Sequence, residues 1–184
     1  MKALSKKAFE SVTAMFHDVS GIRLGEHKLA LVSGRLQRLA QEAGETDVDR
    51  YVDRLLNGSF SAQEMRRVID RLTTNETYFF REPAHYELLA QELARTRPRA
   101  LAVWSAASSF GDEAYSTAML LADLQKRGTI GSDWSILGTD ISERVLESAS
   151  QAIFPEERLR DVSLERRKRY CLRGEGDAAG LVQM

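Results

Sequence analysis

The feature that most constrains the fold is the apolar run Ala100–Ala106, which leads through the small-residue turn Ser105–Gly111 into a helical pattern from Glu113 to Gln125. The helix carries Tyr115, Ala118, Met119 and Ala122 on one face. A loop from Gly128 to Asp133 follows it, and a second apolar run then spans Trp134–Thr139. Ser142 is placed to cap a further helix bearing Val145, Leu146 and Ala149. Strand, helix, strand, helix is the rhythm of a parallel sheet with crossover helices. The fold class is therefore α/β for this part of the chain, with a Rossmann-like, mostly parallel sheet. Ile153-Phe154-Pro155 is expected to end the helix after Ser142, and Ser163 to start another that runs through Tyr170. The glycines at 174, 176 and 180 mark a turn-rich stretch that begins a hairpin at Leu181-Val182.

The first ~75 residues read differently, with helical spacing and no β pattern. Phe9, Val12, Met15, Phe16 and Val19 share one face of a helix from Ser5 to about Val19, broken by Gly21 and Gly25. Leu29, Val32, Leu36, Leu39 and Ala40 do so from about His27 to Glu42, and Val48, Tyr51, Val52, Leu55 and Leu56 from Asp47 to Leu56. Ser61 and Glu64 have the spacing of a capping box, in which each side chain satisfies an orphan backbone donor of the other. Met65, Val68, Ile69 and Leu72 supply the inner face of that fourth helix. The predicted organisation is a small helical bundle over residues 1–75 and the first part of an α/β domain over 76–184, joined by a linker at about 76–87.

Composition narrows the function classes. With 26 basic and 27 acidic residues the formal net charge is -1, so no global field draws the chain to nucleic acid or an anionic surface. Cys171 is the one cysteine, which excludes an internal disulfide and a multi-cysteine metal cluster within one chain. The three histidines have no metal-site spacing. The apolar runs fall far short of the ~20 residues that span a bilayer. Met1-Lys2-Ala3-Leu4-Ser5-Lys6-Lys7 lacks the apolar core of a secretory signal, so a cytoplasmic protein is expected.

The block Leu72-Thr73-Thr74-Asn75-Glu76-Thr77-Tyr78-Phe79-Phe80-Arg81-Glu82-Pro83 sets an amide, a hydroxyl and a guanidinium beside two phenylalanines. Polar groups converging on an apolar wall suit a pocket for a small molecule of mixed polarity. Arg81, between Phe80 and Pro83, can clamp a carboxylate with two parallel bonds, or merely pair with Glu82 or Glu87 on the surface. Asn75 and Thr77 can equally be turn residues. Asp140 follows a strand directly, where a carboxylate can accept from ribose hydroxyls or help cap the next helix. Glu113 lies in a first helical turn, which favours an acid anyway, or it contacts an ammonium group. Asp112 reads as a plain helix-start residue. The 105–111 turn matches the phosphate-binding glycine pattern only at Gly111, and no P-loop is present. Lys28, Arg35 and Arg38 line one flank of the second helix, as a solvated face or as a docking stripe for an acidic helical partner.

The 72–82 block and Trp104-Ser-Ala-Ala-Ser-x-x-Gly-x-Glu-x-Tyr-Ser116 closely resemble the chemoreceptor glutamate methyltransferases, the CheR family. Thr139-Asp140-Ile141, Arg169-Tyr170, the glycines at 174–180, Ser20-Gly21-Ile22 and Lys28 to Arg38 extend the likeness over nearly the whole chain. The resemblance implies transfer of a methyl group from S-adenosylmethionine to glutamate side chains on the cytoplasmic helices of chemoreceptors. It also implies that Asn75, Thr77, Arg81, Glu113 and Asp140 are cofactor contacts. Asp140 would hold the ribose, and Arg81, the expected catalytic residue, would hold the methionine end or the incoming carboxylate.

Family members continue past residue 184 with further sheet strands, an inserted β-subdomain that helps grip the receptor, an Asn-Leu pair around the adenine and a tyrosine near the active site. A rival reading is a non-catalytic module that docks a signalling protein, or forms a homodimer, through its helical domain.

Overall fold

A computed structural model describes residues 3–184; Met1 and Lys2, which open the stretch read above for a signal sequence, lie outside the described residues. The chain divides after Thr74 into two compact units.

Among the described residues the first unit holds four α-helices: α1 (Lys6–Ser20), α2 (Leu29–Glu42, entered through a 3-10 turn at Glu26–Lys28), α3 (Val48–Leu56) and α4 (Ala62–Leu72). Their starts follow the predicted chemistry. The Ser5 hydroxyl accepts from Ala8 N–H, Asp47 accepts from Asp49 N–H, and the Ser61–Glu64 capping box is fully formed. Gly21 ends α1 at φ 72°, a conformation that favours glycine. The apolar stripes meet in one core, in which Val12, Phe16, Leu36, Val52, Val68 and Leu72 are buried.

The basic flank of α2 behaves differently from its sequence reading. Arg35 is not a free docking cation: its Nη1 donates to the Leu72 carbonyl at 2.8 Å and its Nη2 to the Thr74 hydroxyl at 3.2 Å. It caps the orphan carbonyls at the C-terminus of α4. Leu72-Thr73-Thr74, the start of the signature block, is thus a structural ending of the helical unit.

The second unit has α5 (Pro83–Thr96), β1 (Ala100–Ala106), α6 (Asp112–Lys126), β2 (Asp133–Thr139) and α7 (Glu143–Gln151). Strands β1 and β2 pair in parallel, from Ala100 opposite Asp133 to Ala106 opposite Thr139. One face of the pair packs the half-buried Leu101, Val103 and Ile136 against a core that includes Leu93 of α5 and Leu120, Leu121 and Leu124 of α6. On the other face Trp104 is 69% exposed and its register partner Leu137 63%. A two-stranded parallel sheet is covered here on one side only, as its small size implies.

Beyond α7 the helix expected from Ser163 through Tyr170 forms, but Ile153-Phe154-Pro155 departs from its reading. Ile153–Pro155 does not simply stop a helix; it is strand β3. It joins β4 (Leu172–Arg173) and β5 (Leu181–Gln183) in an antiparallel sheet of order β3-β5-β4, with α8 (Leu164–Tyr170) between β3 and β4. The reason is tertiary: Phe154 faces Val182 across the sheet, and both are buried with Phe79 and Met119. Local periodicity over three residues carries no trace of that partner. The resemblance places the family's inserted β-subdomain past residue 184, yet an antiparallel three-stranded sheet forms within residues 153–183.

Candidate functional site

Parallel pairing brings the carboxyl ends of β1 and β2 to one edge, where ligands bind in open α/β sheets. Two loops leave that edge. The 107–111 loop folds across the end of β2, with Ser108 N–H donating to the Thr139 carbonyl at 2.9 Å. Gly138 permits the crossing, because a Cβ there would stand 2.9 Å from Ser108 Oγ. Ala107 and Ser109 have φ values of 58° and 51°, and Gly111 has 91°. Non-glycine residues in left-handed conformations cost about 1–3 kcal/mol each and persist where their surroundings hold them.

Asp140 supplies part of that hold. Its Oδ2 accepts from Ser109 N–H at 2.9 Å, and its Oδ1 from Ser142 N–H at 2.9 Å. Each oxygen keeps a lone pair, so the carboxylate can still receive two donors such as vicinal hydroxyls. Ser142 does cap α7, its hydroxyl accepting from Val145 N–H. The helix-capping and ligand-binding readings of Asp140 are compatible.

Ser109 also reaches in the opposite direction: its hydroxyl donates to the Asn75 carbonyl at 3.2 Å. The next carbonyl, of Glu76, accepts from Arg81 Nη1 at 2.9 Å. Arg81 is therefore not paired with Glu82 or Glu87; it folds back on its own loop, with its guanidinium exposed. Consecutive carbonyls thus tie Asp140 and Arg81 into one hydrogen-bonded chain. Thr77 lies half-buried between these anchor points. Among the described residues neither the Asn75 amide group nor the Thr77 hydroxyl bonds to protein. Glu113 stands exposed at the start of α6, its Oε1 accepting from the buried Ser105 hydroxyl at 2.6 Å. Ser105 belongs to the end of β1, so Glu113 also faces the carboxyl edge.

These groups suit an adenosyl amino acid: a carboxylate beside the second strand, an exposed carboxylate beside the first, and an exposed guanidinium on the adjoining loop. A separate cavity of about 500 Å³, lined by Ser108, Gly111, Tyr115, Trp134, Ile136 and Leu146 among others, touches none of the five residues. Its walls are mainly apolar, and it gathers no comparable polar set.

Asp112 corrects its sequence reading. It is fully buried, and its Oδ2 is 3.0 Å from Arg158 Nη1, while Oδ1 has no partner among the described residues. Burial pushes its carboxyl above the usual range, and the Arg158 charge opposes this. The Arg158 guanidinium also lies over the Phe110 ring, 4.4 Å from its centroid. Sequence reasoning missed Ser105, Ser109 and Asp112 as architects of the site. Their one visible signal was position within the 104–116 motif.

These features define the class: a Rossmann-like domain whose strands' carboxyl edge carries a polar set suited to a nucleoside cofactor. Residues 75–183 match the SAM-binding domain of the CheR methyltransferases, and residues 7–73 match their all-alpha domain. The chain belongs to the CheR methyltransferase family, and S-adenosylmethionine is the methyl donor taken by that domain. It is 40% identical over 182 residues to the chemotaxis protein methyltransferase of Escherichia coli K12, covering 99% of this chain and 62% of the relative. The Salmonella typhimurium protein of that name is 37% identical with the same coverage. Chemotaxis protein methyltransferase 2 of Pseudomonas aeruginosa is 36% identical over 98% of this chain and 63% of its own length. The chain thus spans a little under two thirds of these curated relatives.

Proposed function

We propose that the protein acts in chemotaxis as a protein-glutamate O-methyltransferase, esterifying glutamate side chains on the cytoplasmic helices of chemoreceptors. The observation that carries the reading is the chain of bonds from Asp140 through Ser109 to the Asn75–Glu76 carbonyls and Arg81. In this reading Asp140 holds the ribose and Glu113 the ammonium group of the amino-acid end. Asn75 and Thr77 offer an amide and a hydroxyl along the same ligand. Arg81 grips the methionine carboxylate or the incoming glutamate, as the one catalytic residue assigned. The helical and α/β parts, divided near residue 75, are the all-helical and cofactor domains.

When bound, S-adenosylmethionine supplies an electrophilic sulfonium methyl. The accepting glutamate, with a reference pKa of about 4.3, is ionised at neutral pH and needs no general base. The site has only to fix the line between carboxylate oxygen, methyl and sulfur, a task of positioning. An exposed Arg81 suits it, since a guanidinium can orient a carboxylate with two parallel bonds. The rival reading as a docking or dimerising module loses one of its three cations, because Arg35 caps α4.

The test is transfer of labelled methyl from S-adenosylmethionine to a chemoreceptor cytoplasmic fragment by the intact protein. A methyl ester is hydrolysed by mild alkali, so base-labile label on the receptor is expected. Label that survives alkali would contradict the glutamate assignment, and absence of label would contradict the activity.

A further inference from the structure

Arg81 projects from an improbable piece of backbone. The residues on either side, Phe80 and Glu82, both have φ 56°. Neither is glycine, so the loop must be held from outside to keep Arg81 in place. Its own backbone gives little help, since Arg81 N–H reaches the Tyr78 carbonyl only at 3.4 Å.

The hold comes from α6. Phe80 N–H donates to the hydroxyl of Ser116 at 2.9 Å, and that hydroxyl donates to the Asp112 carbonyl at 2.6 Å. Ser116 is fully buried in the second turn of α6, where serine is a poor choice unless its hydroxyl is used. Its hydroxyl both accepts and donates, and the bond it accepts fixes the Phe79–Phe80 peptide unit, one residue ahead of Arg81. The Phe80 ring is pinned as well, 4.9 Å from Tyr86 and 4.6 Å beneath the Arg166 guanidinium. Arg166 is in turn anchored on Asp123 at 2.9 Å. On the other side Phe79 is buried, and its N–H donates to the Arg158 carbonyl at 3.3 Å.

We propose that Ser116 is a positioning residue for Arg81: its hydroxyl holds the left-handed Phe80 peptide and so aims the guanidinium at the ligand. This rests on the reading of Arg81 as a cofactor contact given above. Loss of the Ser116 hydroxyl leaves the Phe80 N–H buried without an acceptor, and the loop can relax to an ordinary conformation that redirects Arg81.

The test is a double-mutant cycle on the intact protein, with S-adenosylhomocysteine affinity read by calorimetry and melting temperature alongside. S116A is expected to weaken binding about tenfold when Arg81 is present, the worth of one hydrogen bond, and less than about twofold in an R81A background. Its effect on melting should be the same in both backgrounds. S116T, which keeps the acceptor, should restore most of the affinity. S116C, close in volume and a weak acceptor, carries the same cycle should the alanine variant not fold. Equal losses of affinity in both backgrounds, or none in either, would overturn the positioning role and leave the site reading intact. No binding by the unmutated protein, or unchanged binding by R81A, would instead overturn the site reading and the inference with it.

Discussion

The carboxylate of Asp140 accepts the backbone N–H of Ser109 at 2.9 Å, fixing a left-handed loop residue to the end of the neighbouring strand. The same serine bonds to Asn75, so one residue couples the second strand to the signature loop. In D140A both the loop anchor and the proposed ribose acceptor are lost. We expect S-adenosylhomocysteine affinity to fall about 10- to 100-fold, from hydrogen bonds to a charged acceptor worth about 1.5–3 kcal/mol. Calorimetry on the variant checks this, and D140N should lose less.

Two glycines should respond in opposite ways to alanine. At Gly138 the added methyl meets buried Ser108, so G138A should cost about 1–3 kcal/mol and disturb the 107–111 loop. At Gly34, inside α2, a Cβ meets nothing within 4 Å, and G34A should stabilise by about 0.5–1 kcal/mol. Chemical denaturation of both variants decides the matter.

Arg158 neutralises the fully buried Asp112. Removing one partner of a buried pair costs about 3–5 kcal/mol, and R158M should show a loss of that size at pH 7. Because the folded Asp112 carboxyl is raised by burial, its contribution is most favourable at low pH and is lost as pH rises through the folded value. The R158M deficit should therefore shrink on acidification, as Asp112 takes up a proton. Melting curves between about pH 4 and 8 test the sign.

Asp123 has the opposite sign. Burial raises its carboxyl, but hydrogen bonds from Tyr170, Arg166 and Arg169 outweigh this and hold it below the usual range. Its stabilisation is present above the unfolded value, near pH ~4, and is lost as pH falls through the folded one. D123N should thus be less stable than the parent at pH 7 by about 1.5–3 kcal/mol. The gap should close below about pH 4.

The periodic elements were legible in the sequence because their signals are local. Helical stripes, the Ser61–Glu64 box and the two apolar strands all formed within one or two residues of their expected limits. The expected candidate residues could be named but not placed, since bonds such as Asp140 to Ser109 join positions 31 apart. Three features lay beyond local reading for the same reason. Strand β3 depends on a partner nearly thirty residues later, the buried Asp112 pairs with Arg158 46 positions away, and Arg35 caps a helix other than its own.

The measurement closest to the central claim is titration of the intact protein with S-adenosylhomocysteine, alongside R81A, D140A and the surface control E92A. Glu92 pairs with Arg95 on the exposed face of α5 and should not matter. The account predicts saturable binding with one ligand per chain, weakened by R81A and by D140A and unchanged by E92A. Equal affinity in all four proteins, or heat no greater than dilution in the parent, would contradict it.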